Sequence, residues 1–199
     1  MNIFRNKNNI NKNQQGFTLI ELLVVVAIMA VIAGITSDLF VSILKGANKA
    51  NVMNEIKQNG NYVLDVMERN IRNAKTITKI DDRTIVLQDN NGQYIQFKIY
   101  PPDLTNLSDK KNGYITIATN TLEDFTNLEK VLTNTHPISG ASVQDGLFTV
   151  VSPTPPDQNP SYVSISFTVL QAENAPSRQD YKIGGNGLVF QTTVSLRTY

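Results

Sequence analysis

Three hydrophobic rhythms divide the chain. From Phe17 to Ser37 the sequence FTLIELLVVVAIMAVIAGITS is apolar at almost every position, and Glu21 is the only charge in its 21 residues. A helix rises about 1.5 Å per residue, so this run is just long enough to cross a hydrocarbon core about 30 Å thick. From about Asp38 to Ala74 the apolar residues mostly fall three, four or seven apart: Leu39, Ile43, Val52, Ile56, Val63, Val66, Met67 and Ile71. That spacing predicts an amphipathic helix with one buried stripe. No proline occurs before Pro101, so a helix from Phe17 to about Ala74 is expected, more than about 80 Å long. Gly34 and Gly46 are its weak points, each up to about 1 kcal/mol worse than alanine.

After Ala74 the period becomes two. Thr84–Gln88 and Gln93–Tyr100 flank Asp89-Asn90-Asn91-Gly92, and Asn-Gly between alternating runs is a strong hairpin signal. Further strands are predicted at Tyr114–Thr119, Gly146–Val151, Tyr162–Leu170 and Leu188–Leu196. Pro101-Pro102, the proline-rich Pro153–Pro160 and Gly184-Gly185-Asn186-Gly187 punctuate them. Leu122–Leu132 reads as a short helical or irregular insert. The fold class is α+β: a long N-terminal helix whose amphipathic half packs on an antiparallel β-sheet.

Charge adds an orientation. The chain of 199 residues has a net charge of +1, yet residues 1–16 carry Arg5, Lys7 and Lys12 and no acid. Removing those three from the 18 basic residues leaves 15 against 17 acidic, a net charge of −2. The basic lead segment should stay in the cytoplasm and the C-terminal part should lie outside. No basic surplus points to nucleic acid, and none is predicted as a partner. There is no cysteine, so disulfides, thiol catalysis and cysteine-ligated zinc are excluded.

Little else suggests chemistry. The single histidine, His136, precedes Pro137; a catalytic triad or a histidine metal cluster is not indicated. Asp81-Asp82 and the stretch Asp103–Asp109 are oxygen-rich loops without EF-hand spacing, read as solvated turns. Arg69 and Arg72 are candidate interface cations, or else a solvated helix face with Asp65 and Glu68 nearby. No catalytic residue, metal site or cofactor is expected, and the chain is not read as an enzyme.

Glu21 is different. A carboxylate in a membrane segment costs several kcal/mol unless it is paired or near the interface, so it is a functional-site hypothesis by default. A secretory signal does not explain it. Such a signal would end its apolar region at a small-residue cleavage site, and Ala30-Val31-Ile32-Ala33-Gly34 is crowded by Val and Ile. A plain membrane anchor explains the length and leaves Glu21 unexplained.

The string Gln15-Gly16-Phe17-Thr18-Leu19-Ile20-Glu21-Leu22-Leu23 resembles the class III signal of type IV pilins and pseudopilins. The resemblance implies that a prepilin peptidase cuts after Gly16 on the cytoplasmic side and N-methylates Phe17. It implies that Glu21, fifth in the mature chain, pairs with the Phe17 amine of a neighbouring subunit. Its further implications are other pilin subunits and an inner-membrane assembly platform as partners, and a single-pass membrane precursor that ends in an extracellular filament. Asn59–Arg72 resembles the helix of minor pilins of the PilW and GspJ type, and Phe190–Arg197 the closing strand of many pilin-like proteins. Many members have a proline just past the membrane part of the helix; Asp38 stands in that neighbourhood here. Some pseudopilins bind calcium. The resulting division is 1–16 leader, 17–37 transmembrane and polymerisation half-helix, 38–75 amphipathic half-helix, and 76–199 β-rich domain. A minor pilin or pseudopilin, a major pilin, and a membrane-anchored adhesin that never polymerises stay open at this point.

Overall fold

A computed structural model describes residues 16–103, 105, 111–152, 160–175 and 187–197. The chain divides into two compact units, Met1–Leu44 and Lys45–Tyr199, and one helix, α1 (Leu19–Arg72), contributes to both.

In the first unit the helix is apolar all round, and none of its membrane-length window is buried. It is long and apolar enough to cross a membrane. Thr36 donates its hydroxyl to the Ile32 carbonyl (2.7 Å) and Ser37 to that of Ala33 (2.8 Å). These bonds satisfy two hydroxyls that would otherwise be unpaired in lipid. Leu39 and Ile43, placed on the buried stripe by spacing alone, are 59% and 67% exposed.

In the second unit the stripe is real. Ile56, Gly60, Val63, Met67 and Ile71 are buried, at steps of three and four. The helix stops at Arg72, slightly short of Ala74. Asn73 donates to the Asn70 carbonyl, and Ala74 already pairs with Asp89. The strands are β1 (Ala74–Asp81), β2 (Thr84–Asp89), β3 (Tyr94–Tyr100), β4 (Tyr114–Asn120), β5 (Lys130–Val131), β6 (Ala141–Val151), β7 (Tyr162–Gln171) and β8 (Leu188–Ser195). The β2–β3 hairpin turns as expected. Asp89 Oδ1 accepts from the Asn91 and Gln93 amides, and Gly92 takes φ +81°, which glycine adopts freely.

The α+β architecture holds, but its single sheet is two. Strands β1 to β5 form an antiparallel meander, and β6, β7 and β8 form a separate antiparallel sheet. The reason lies in β6. Among the described residues its backbone meets the segments that begin and connect the first sheet's strands at two hydrogen bonds, Val143 N to Gly113 O (3.0 Å) and Phe148 N to Asp82 O (2.8 Å). Between them an irregularity at Val143/Asp145 shifts its register, and a bulge of this kind ends regular pairing. Both sheets share one core with α1, built on Met67, Ile71, Ile85, Phe97, Phe148 and Phe167. Residues 122–132 are irregular apart from β5.

Candidate functional site at the start of the helix

Gly16, Phe17 and Thr18 lead into α1 without regular structure. Thr18 is the capping residue. Its carbonyl accepts from Leu22 N (3.2 Å), the first bond of the helix. Its hydroxyl oxygen accepts from Glu21 N (3.3 Å), and its amide donates to Glu21 Oε2 (3.0 Å). The hydroxyl also donates to the same oxygen (3.1 Å). This reciprocal pair is a capping box: each residue satisfies a backbone donor of the other that the helix leaves without a partner. The carboxylate also sits where the positive end of the helix dipole favours it.

Both bonds from Thr18 fall on Glu21 Oε2; Oε1 takes none among the described residues. Phe17 is 87% exposed. A β-carbon added to Gly16 would meet nothing within 4 Å, so the fold itself sets no requirement for glycine there. The structure thus joins Thr18 to Glu21 and, among the described residues, leaves Gly16 and Phe17 exposed. Thr18 had no role in the reading of the residues, although Thr-x-x-Glu ahead of an apolar run is the sequence signature of a capping box.

The other candidates resolve into local structure. His136 Nδ1 accepts from Ser139 N (3.2 Å) inside a turn. Asp81 Oδ1 caps Arg83 N (2.7 Å), and Asp82 pairs with Lys79 Nζ (2.7 Å). The Lys79 ammonium, through its hydrogen bond and then its charge, holds the Asp82 carboxyl below the usual range. Asp103 Oδ1 accepts from Thr105 Oγ1 (2.6 Å), and most of the loop to Asp109 lies outside the described residues, as do Pro153–Asn159 and Gly184–Asn186. Among the described residues no group of three or more His, Asp or Glu could hold a metal. Arg69 pairs with Asp65 (2.9 Å) where both side chains are exposed, and Arg72 with Glu68 (3.5 Å), which is half-buried and also accepts from Thr192 Oγ1.

Among protein families, residues 11–37 match the prokaryotic N-terminal methylation motif. No curated protein and no solved structure matches the chain. The matched stretch contains Gly16, Phe17, Thr18 and Glu21, and it supports a type IV pilin-like substrate of prepilin peptidase.

Proposed function

We propose that the chain is a structural subunit of an extracellular type IV pilus-like filament, a minor pilin or pseudopilin. The observation that carries this reading is the methylation motif set directly against an apolar helix with no cover of its own. Residues 1–16 are the leader, 17–37 the membrane and polymerisation half-helix, 38–75 its amphipathic continuation and 76–199 the outer domain. The precursor spans the cytoplasmic membrane once, with its N-terminus in the cytoplasm.

The peptidase cuts between Gly16 and Phe17 and methylates the new amine. Nothing in the fold needs glycine at position 16, which is what a residue selected for an enzyme's narrow cleft would show. Cleavage leaves a charged amine beside the apolar phase. Glu21 of a neighbouring subunit compensates it, and the pair sets the axial register as subunits stack. In low dielectric such a pair is strong, and removing one partner strands a buried charge at about 3–5 kcal/mol. Longer polar connections between strands, such as residues 121–129 and 132–140, favour a minor subunit over one that forms the filament bulk.

The decisive experiment is N-terminal mass spectrometry of surface-sheared material. Methyl-Phe17 at the terminus is expected. A chain that keeps Met1–Gly16 would sink the filament reading and leave a plain membrane anchor. A dominant band at the mature mass would turn the minor subunit into a major one. In parallel, Glu21→Ala should be cleaved normally and fail to enter filaments.

A further inference from the structure

A sheet has two outer edges, and natural proteins protect them with charge, irregularity, brevity or cover. The four edges here differ. Strand β1 carries Lys75, Lys79 and Asp81 and two register shifts against β2. Strand β5 has two residues. The free side of β6 is tied to Gly113 and Asp82. Strand β8, Leu-Val-Phe-Gln-Thr-Thr-Val-Ser, has eight residues, no charge, no proline and an unbroken register against β7. It is the edge of its sheet, with no strand beyond it among the described residues.

The backbone groups on that edge can be assigned. Leu196 N donates to Ser161 O (2.9 Å), and antiparallel residues alternate in the direction their backbone groups point. Leu188, Phe190, Thr192 and Val194 therefore turn their N–H and C=O toward β7. Val189, Gln191, Thr193 and Ser195 turn theirs outward. The same four side chains are exposed, Val189 at 64%. Alternating N–H and C=O groups along an edge match the groups of another extended backbone. The edge is held in place from behind by Phe190 on Gly60 and by Thr192 Oγ1 donating to Glu68 Oε1 (2.8 Å).

We propose that β8 is a strand-pairing edge and that its occupant is β8 of a second copy, antiparallel about a two-fold axis. Centred on Thr192, this register sets Val189 opposite Ser195 and Gln191 opposite Thr193. All four outward residues of each copy then pair with outward residues of the other. No charge opposes a like charge, whereas self-pairing of β1 would bring lysines to the contact. One strand pair is small beside a standard interface of about 1,600 Å². The contact therefore depends on both copies being held in one membrane, where effective concentration is high, and in that respect it rests on the membrane-inserted reading above. A two-fold contact closes on itself and cannot propagate a filament. The paired form accordingly belongs to subunits waiting in the membrane and opens on assembly.

The absence of cysteine makes the test clean. Two differently tagged full-length copies, Gln191→Cys and Thr193→Cys, are co-expressed and mildly oxidised in the membrane. Directly opposed Cα atoms about 5.5 Å apart lie within disulfide range. A mixed disulfide dimer is expected, several-fold above that of either variant alone or of an Asn91→Cys mixture, and sharply reduced when Val189→Lys and Ser195→Lys are added together to both copies, which sets lysine opposite lysine at each end of the pair. Equal cross-linking at Asn91, or no effect of the paired lysines at 189 and 195, overturns the proposal. Sheared filaments from the wild type are scored separately: their absence counts against the filament reading and leaves the β8 result to stand on its own.

Discussion

Helix propensity alone says that Gly60→Ala should stabilise the protein by up to about 1 kcal/mol, because glycine is the poorest ordinary residue in a helix interior. The packing says the reverse. An alanine β-carbon at this position would lie 2.2 Å from Cζ of Phe190 and 2.3 and 2.4 Å from its Cε atoms. Carbon atoms pack best at about 3.5–4.0 Å, so helix and ring must part by more than about 1 Å. The ring has little room to move: Phe190 is 8% exposed and stacks on Phe167 with centroids 5.4 Å apart. Overpacking of this kind costs about 1–3 kcal/mol. Set against the propensity gain, the expected net loss is about 1 kcal/mol, or about 2–4 °C in Tm for a chain of this size. The assay is thermal unfolding of the full chain in detergent, followed by the near-ultraviolet circular dichroism of its tyrosines. Phe190→Ala alone should cost about 3–5 kcal/mol. In that background the clash is gone and Gly60→Ala should become neutral or stabilising, a coupling of about 2 kcal/mol. A Gly60→Ala protein that melts at or above the parent, or an equal effect in both backgrounds, would refute the reasoning.

Thr18→Ala removes the capping box and should cost about 1 kcal/mol locally, seen as faster amide exchange over Leu19–Leu22, while Thr18→Ser should retain protection. Asp82 has its folded pKa depressed by Lys79, so its contribution is present above the unfolded carboxylate pKa and is lost as pH falls through the lower folded value. The melting temperatures of the parent and Asp82→Asn should therefore differ at pH 7 and converge in acid. Arg69→Ala should change stability by less than about 0.5 kcal/mol, since the side chains of its pair with Asp65 are 71% and 68% exposed; a larger loss in denaturant titration would show that the pair counts for more than its exposure allows.

Much of this fold can be read from the chain because its signals are local. The apolar run, the period-two strands and the Asn91-Gly92 turn each declare themselves within a few residues. Strand β1 does not, because an exposed edge strand needs no apolar face and reads as Lys and Thr between scattered isoleucines. The division into two sheets depends on where β6 stops pairing with the first sheet, between its bonds to Gly113 and Asp82, which no local pattern announces. Glycines show the limit well. Gly34 and Gly46 attract attention as helix breakers, yet a β-carbon at either would meet nothing. Gly60, unremarked in sequence, is the one of these three helix glycines that the packing requires.

At the N-terminus a motif and a geometry explain different residues. The capping box accounts for Thr18 and for a carboxylate at position 21 within a single chain. Had Glu21 only this task, Asp or Ser cap variants could share the work, and neither Gly16 nor a free amine at Phe17 would matter. The proposed junction adds what the box leaves out: a glycine for which the described residues set no requirement, and an exposed residue whose proposed cleavage would create a cation. The capping role and the proposed pairing fit one side chain because they would fall on different atoms. Oε2 is held by Thr18, and Oε1 accepts no hydrogen bond among the described residues. On this view Thr18 makes the proposed pairing stereospecific, since a carboxylate pinned at one oxygen loses little rotamer freedom when an amine meets the other. Losing Thr18 should thus weaken assembly without abolishing it, whereas losing Glu21 removes the charge itself.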